Sequence, residues 1–110
     1  MHHEVGIAQD ILHKVLHEAQ RSGLKKVRKA SVRIGETLLA HPDEVKHSFS
    51  AVSQGTAASG AELEIAISPL RAKCSSCGRD FEAEGMRCPF CKSGDVEMIS
   101  GRELLVETVE

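Results

Sequence analysis

Apolar positions along the first third of the chain fall on a helical period. Ile7, Ala8, Ile11, Leu12, Val15, Leu16 and Ala19 recur at i, i+4 and i+8, one stripe of a helix that Gly23 ends. Asp10, Lys14 and Glu18 occupy the opposite, solvated face at spacing suited to weak ion pairs. The period then changes. Ala30, Val32 and Ile34 alternate with Ser31 and Arg33 up to Gly35, which predicts a strand with one face buried. Pro42, Asp43 and Glu44 read as the first turn of a second helix, whose inward stripe is Val45, Phe49 and Val52 and whose stop is Gly55. The segment 55–60 is loop by composition, and Ala61, Leu63, Ile65 and Ile67 alternate with Glu62, Glu64 and Ala66 as a second strand ending before Pro69.

A cysteine-bearing segment follows, and the chain returns through Val96, Met98 and Ile99 to a run from Glu103 to Val109 that is rich in strand formers. We read that run as a strand rejoining the first part of the molecule. The pattern predicts an α+β fold, two helices packed on a small mixed β-sheet, with an inserted zinc-ribbon domain. The expected division is residues 1–70, completed by a C-terminal strand at 98–110, and a ribbon at 71–97. Composition changes one point only: with three phenylalanines as the whole aromatic content, the core must be built from Val, Ile, Leu and Ala.

Cys74-Ser75-Ser76-Cys77 and Cys88-Pro89-Phe90-Cys91 are two Cys-x-x-Cys pairs in one short segment, a metal-site layout rather than a dispersed disulfide layout. Four thiolates in a tetrahedron suit Zn²⁺, and a shell closed in this way leaves no position for catalysis, so the role is structural. Between the pairs only Phe81 and Met86 are large and apolar, too few to hold a hairpin without an ion. Zinc supplies about 10–16 kcal/mol in comparable peptides. Redox dithiols and a single-iron centre of rubredoxin type are the alternatives.

Met1-His2-His3-Glu4 places an amine, backbone amides, two imidazoles and a carboxylate within four residues. Anchored on the amine, the residue 2 amide and the His2 imidazole close five- and six-membered chelate rings. With His3 instead, the amine, two amides and the imidazole supply four nitrogens in one plane, a geometry that favours Ni(II) or Cu(II). Protons compete for these donors, so affinity should fall as pH falls. Exposed histidines with no ligand role are the alternative. His13 and His17 stand at i, i+4, which can pair on a metal, but they face away from the apolar stripe and are read as solvated. His41, before Pro42, and His47 receive no metal role.

The formal net charge of −2 gives no general field for phosphates, and Lys73, Arg79, Arg87 and Lys92 in the ribbon are offset by Asp80, Glu82 and Glu84. A ribbon adaptor binding nucleic acid or a protein assembly is thus the alternative function, not the favoured one. No apolar run reaches the roughly 20 residues of a membrane span. No basic region and apolar stretch open the sequence, so the cytoplasm is the expected compartment. Neither a phosphate-binding Gly-x-x-x-x-Gly-Lys loop nor a Ser/His/Asp set is present, and no enzyme activity is expected.

Taken together, several segments make the chain resemble the hydrogenase nickel-incorporation family, HypA. They are His3-Glu4-Val5-Gly6-Ile7-Ala8, Val32-Arg33-Ile34-Gly35-Glu36, Pro42-Asp43-Glu44-Val45, Gly55-Thr56, the two cysteine pairs and Ser100-Gly101-Arg102-Glu103-Leu104. The resemblance implies a nickel metallochaperone for [NiFe]-hydrogenase, in some organisms also for urease, working with the partner GTPase HypB and the hydrogenase large subunit or its maturation complex. It implies a transported Ni²⁺ at Met1, His2, His3 and Glu4 and a structural Zn²⁺ at Cys74, Cys77, Cys88 and Cys91, in a monomer or weak dimer. The family begins Met-His-Glu, and this chain is one histidine longer: His3-Glu4 matches in sequence, His2 in distance from the amine.

Overall fold

The structure, a computed structural model, describes residues 2–82 and 87–110, and of residues 2 and 3 the backbone alone. Helix α1 spans His2–Arg21, longer at its start than the apolar stripe required. Its end is where the sequence put it: Gly23 takes φ 74°, and the Leu24 N–H donates to the Ala19 carbonyl at 2.8 Å, satisfying a last-turn acceptor. Strand β1 (Lys29–Gly35) leads through a short 3₁₀ turn at Glu36–Leu38 into helix α2 (Pro42–Val52), and strand β2 (Glu62–Ser68) follows. Because α2 carries the chain across the sheet, β1 and β2 pair in parallel, as a crossover connection requires.

Past β2 the chain enters a second sheet made of β3 (Arg71–Cys74), β4 (Asp80–Glu82) and β5 (Val96–Ser100), with β3 central and both neighbours antiparallel. Strand β6 (Leu104–Val109) returns and pairs antiparallel with β1, giving the order β2-β1-β6 in a mixed first sheet. The tail therefore rejoins the first part of the molecule as expected. Two features were not anticipated. The cysteine segment has a three-stranded sheet of its own, and β5 carries residues 98–100 in that second sheet.

Both helices bury one stripe against one face of the first sheet. Ile7, Ala8, Ile11, Val15 and Ala19 from α1 meet Val45 and Phe49 from α2 above Ala30, Val32, Ile34 and Leu63. The opposite face is solvated, and its charges pair across strands: Lys29 with Glu64 at 2.8 Å and Arg33 with Glu107 at 3.3 Å. The second sheet has a far smaller core of Ala72, Cys74, Phe81 and Cys88, with Val96 and Met98 against it. Among the described residues no helix is long and apolar enough to cross a membrane.

Two chain crossings join the sheets, and they are tied to each other. Glu103 accepts from the Ser68 hydroxyl at 2.8 Å and the Gly101 N–H at 2.6 Å, while the Thr37 hydroxyl and N–H both donate to the Gly101 carbonyl. The Leu70 N–H donates to Glu36. Glycine is required here sterically: a Cβ on Gly35 would stand 2.2 Å from the Gly101 backbone, and one on Gly101, at φ 103°, would stand 2.4 Å from Leu70 Cα. The junction is three backbones in direct contact.

Candidate metal centres

The two cysteine pairs build the same local structure twice. In the first, the Gly78 N–H donates to the Cys74 carbonyl at 2.8 Å and the Cys74 N–H to the Arg79 carbonyl at 2.9 Å. In the second, the Lys92 N–H donates to the Cys88 carbonyl at 2.9 Å and the Cys88 N–H to the Ser93 carbonyl at 2.9 Å. The residue after each second cysteine is left-handed, Gly78 at φ 77° and Lys92 at φ 66°. This tight reversal turns both sulfurs of a pair inward. Each knuckle also aims a backbone N–H at its first sulfur, Cys77 onto Cys74 Sγ and Phe90 onto Cys88 Sγ, both at 3.4 Å.

Facing each other, the knuckles bring all four ligand atoms within 4.8 Å of one another. Cys74 Sγ lies 3.5 Å from Cys91 Sγ, and Cys77 Sγ lies 3.7 Å from Cys88 Sγ. These are not bonded sulfurs. A tetrahedron with Zn–S bonds of about 2.3 Å has edges of about 3.8 Å, so the spacing fits a four-thiolate ion. Cys74 and Cys88 are buried, Cys77 and Cys91 exposed. The Cys77 N–H, the largest influence, helps pull the Cys74 thiol down to about 6. Cys91 goes the other way, to about 11: the Ser93 N–H favours its thiolate, but Cys74, burial, Cys88 and Cys77 together outweigh it. Four sulfurs this close cannot all ionise unless a cation neutralises them. Beside the centre, the Arg79 guanidinium sits 4.8 Å from the centroid of the Phe90 ring, which is 53% exposed.

At the amino terminus, Met1 and the side chains of His2 and His3 lie outside the described residues. Glu4 is described: it sits in the first turn of α1, 4% exposed, with Oε2 3.2 Å from Nδ1 of His41. That contact is the largest cause of a carboxyl pKa lowered to about 2, against the upward pull of burial. His41 caps α2 through its carbonyl, which accepts from the Val45 N–H at 2.9 Å, and its ring is 75% exposed. Its Nδ1 is also 3.8 Å from Glu44 Oε2, and ligand atoms of Glu4, His41 and Glu44 all lie within 4.8 Å of one another.

His41 thus stands beside Glu4, one of the expected nickel residues, although the sequence reading gave it no role. Fold packing joins two residues 37 positions apart. A partial signal was present: Glu4 precedes Ile7, Ala8 and Ile11 at i+3, i+4 and i+7, so it continues the buried stripe, and a buried carboxylate needs a partner. His13 and His17 are exposed on α1, as expected.

Over residues 1–110 the sequence matches the model of a family described as hydrogenase/urease nickel incorporation, metallochaperone, HypA. It is 36% identical over 107 residues to the hydrogenase maturation factor HypA of Archaeoglobus fulgidus, covering 97% of this chain and 96% of that one. To the factor of the same name from Desulfitobacterium hafniense (strain DSM 10664 / DCB-2) it is 32% identical over 110 residues, covering 98% and 96%. The fold is similar to the solution structure of the Ni metallochaperone HypA from Helicobacter pylori, with a TM-score of 0.72 at 19% identity, over 97% of this chain and 95% of that one. That likeness is one of fold.

Proposed function

Starting from the chain's membership of the HypA family of nickel metallochaperones for hydrogenase maturation, we propose that it carries Ni(II) at its amino terminus and hands it on. The observation that carries the proposal is the Glu4–His41 contact, which sets a carboxylate and an imidazole from two helices beside the chain start. Nickel(II) favours nitrogen donors. The Met1 amine, the first backbone amides and the imidazoles of His2 and His3 supply them, with Glu4 and His41 closing the site from the fold side. Helix α1 begins at His2, and the first N–H groups of a helix have no intrahelical acceptor. Freeing those amides for coordination therefore costs only local unwinding, not a run of broken hydrogen bonds.

Cargo and resident ion are kept apart by donor chemistry. Cys74, Cys77, Cys88 and Cys91 hold Zn²⁺, which neutralises the four sulfurs and cross-links the two knuckles. The nickel-handling unit is the first sheet with its helices, residues 1–70 together with the returning strand Leu104–Val109, and the ribbon is the second sheet, which takes in residues 98–100 through β5. Delivery serves [NiFe]-hydrogenase, with urease as a further client, in the cytoplasm. The partners are the GTPase HypB and the hydrogenase large subunit or its maturation complex; this chain contributes no catalytic step.

The test is equilibrium dialysis of the zinc-loaded chain against Ni²⁺, with His2→Ala/His3→Ala and His41→Ala as variants. The proposal expects the tight nickel equivalent to vanish in the first and to weaken in the second while zinc stays at one per chain. Unchanged nickel uptake in both would overturn it.

A further inference from the structure

Helix α1 carries a second pair of nitrogen donors that the amino-terminal site does not use. His13 and His17 lie one turn apart, and i, i+4 positions on a helix have Cβ atoms about 5–6 Å apart, close enough for two imidazoles to reach one ion. Both rings are exposed, and among the described residues neither has a hydrogen-bond or ion-pair partner, so neither must give one up. Their backbone is held rigid, because Ile11, Val15 and Ala19 on the other side of the same turns are buried in the core. The two histidines line one cleft between α1 and β6, where Leu104, Leu105 and Val106 form the far wall. Lys14 and Glu18 share that cleft, and Glu18 is drawn towards Arg21 at 3.4 Å. Charge in the cleft is balanced, so attraction to an ion comes from the imidazoles.

We infer that His13 and His17 form a second, solvent-facing site for a divalent transition-metal ion, with Ni(II) as the ion this protein meets. The inference does not depend on the amino-terminal site. Along the helix axis the pair stands about 14–20 Å from Glu4, at about 1.5 Å per residue, so one ion cannot use both sets. Two protein nitrogens leave most of the coordination sphere to water. An ion held so openly exchanges fast, which suits collection of nickel rather than storage.

The two sites differ in a way that an experiment can read. Nickel(II) with two imidazoles and several waters is six-coordinate and paramagnetic, so it broadens the amide signals nearest to it, and the place along α1 where the broadening centres tells this site from one at the chain start. We would titrate the zinc-loaded, ¹⁵N-labelled full chain with Ni²⁺ and follow amide signals by NMR. The expected result is broadening centred on residues 13–17 and the facing β6 residues, lost in His13→Ala/His17→Ala, and retained when the amine is acetylated. Both positions are exposed, so the double variant keeps the fold, checked by its unshifted core signals. Absence of broadening at 13–17 in the unaltered chain, or its persistence in the double variant, overturns the inference.

Discussion

The two sheets of this molecule are similar in strand number and opposite in what holds them. The first is covered by two helices and buries Ile11, Val15, Ala30, Val32, Ile34, Val45 and Phe49 in one continuous core. Among the described residues no helix covers the second, and two of the four buried in its core are cysteines. With zinc held as proposed, apolar burial stabilises one unit and coordination the other, so a treatment aimed at either should leave its neighbour standing. This separation also suits the proposed division of labour, since the ribbon ion must stay while the other ion leaves.

Removing the ribbon ion is the largest perturbation. Chelation, or Cys88→Ser, should unfold the segment from Arg71 to Ser100, because it forfeits a coordination free energy of about 10–16 kcal/mol in comparable peptides. Amide exchange would show protection lost in β3, β4 and β5 and retained in α1 and β1. Loss of protection in both sheets together would contradict independent stabilisation. The reciprocal change is Phe49→Ala, which removes a side chain 2% exposed at the centre of the first core. It should cost about 3–5 kcal/mol of the first unit's stability in denaturant unfolding, with the zinc content unchanged.

Smaller effects probe the junction and the knuckles. The Glu103 carboxyl is held below its usual range by backbone N–H groups and by the Ser68 hydroxyl. A lowered folded pKa means that its contribution is complete above the unfolded value of about 4.3 and is lost as pH falls through the lower folded value. The melting temperature of the intact chain should therefore drop more steeply on acidification in that window than that of Glu103→Gln; parallel curves would remove Glu103 from the junction's stability. The smallest change concerns Lys92, left-handed at φ 66° where the matching knuckle uses Gly78. Lys92→Gly should stabilise the zinc-loaded ribbon by about 0.5–1 kcal/mol, read as slower zinc loss to a chelator, and a faster loss would contradict the account.

Period and spacing made much of this legible. The stripe from Ile7 to Ala19, the alternation at 30–34 and 61–67, and the paired cysteines each carry their information within a few neighbouring residues, and each became the element or cluster expected. What escaped depends on distance along the chain. The strands at Arg71–Cys74 and Asp80–Glu82 are short and mostly polar, so nothing in their pattern marks them, and only pairing with β5 defines them. The Gly35–Gly101–Leu70 contact and the Glu4–His41 pair arise from packing between segments that local patterning cannot relate. Glu4 was the exception in part, a charge on a buried stripe that asked for a partner without naming it.

The most direct test of the central claim is metal content per chain, zinc and nickel together, after dialysis against excess Ni²⁺ with the amino-terminal amine free or acetylated. The account predicts one zinc in both samples and a tightly held nickel only in the free-amine sample. An equal amount of tightly held nickel after acetylation, or nickel gained only as zinc is lost, would contradict it.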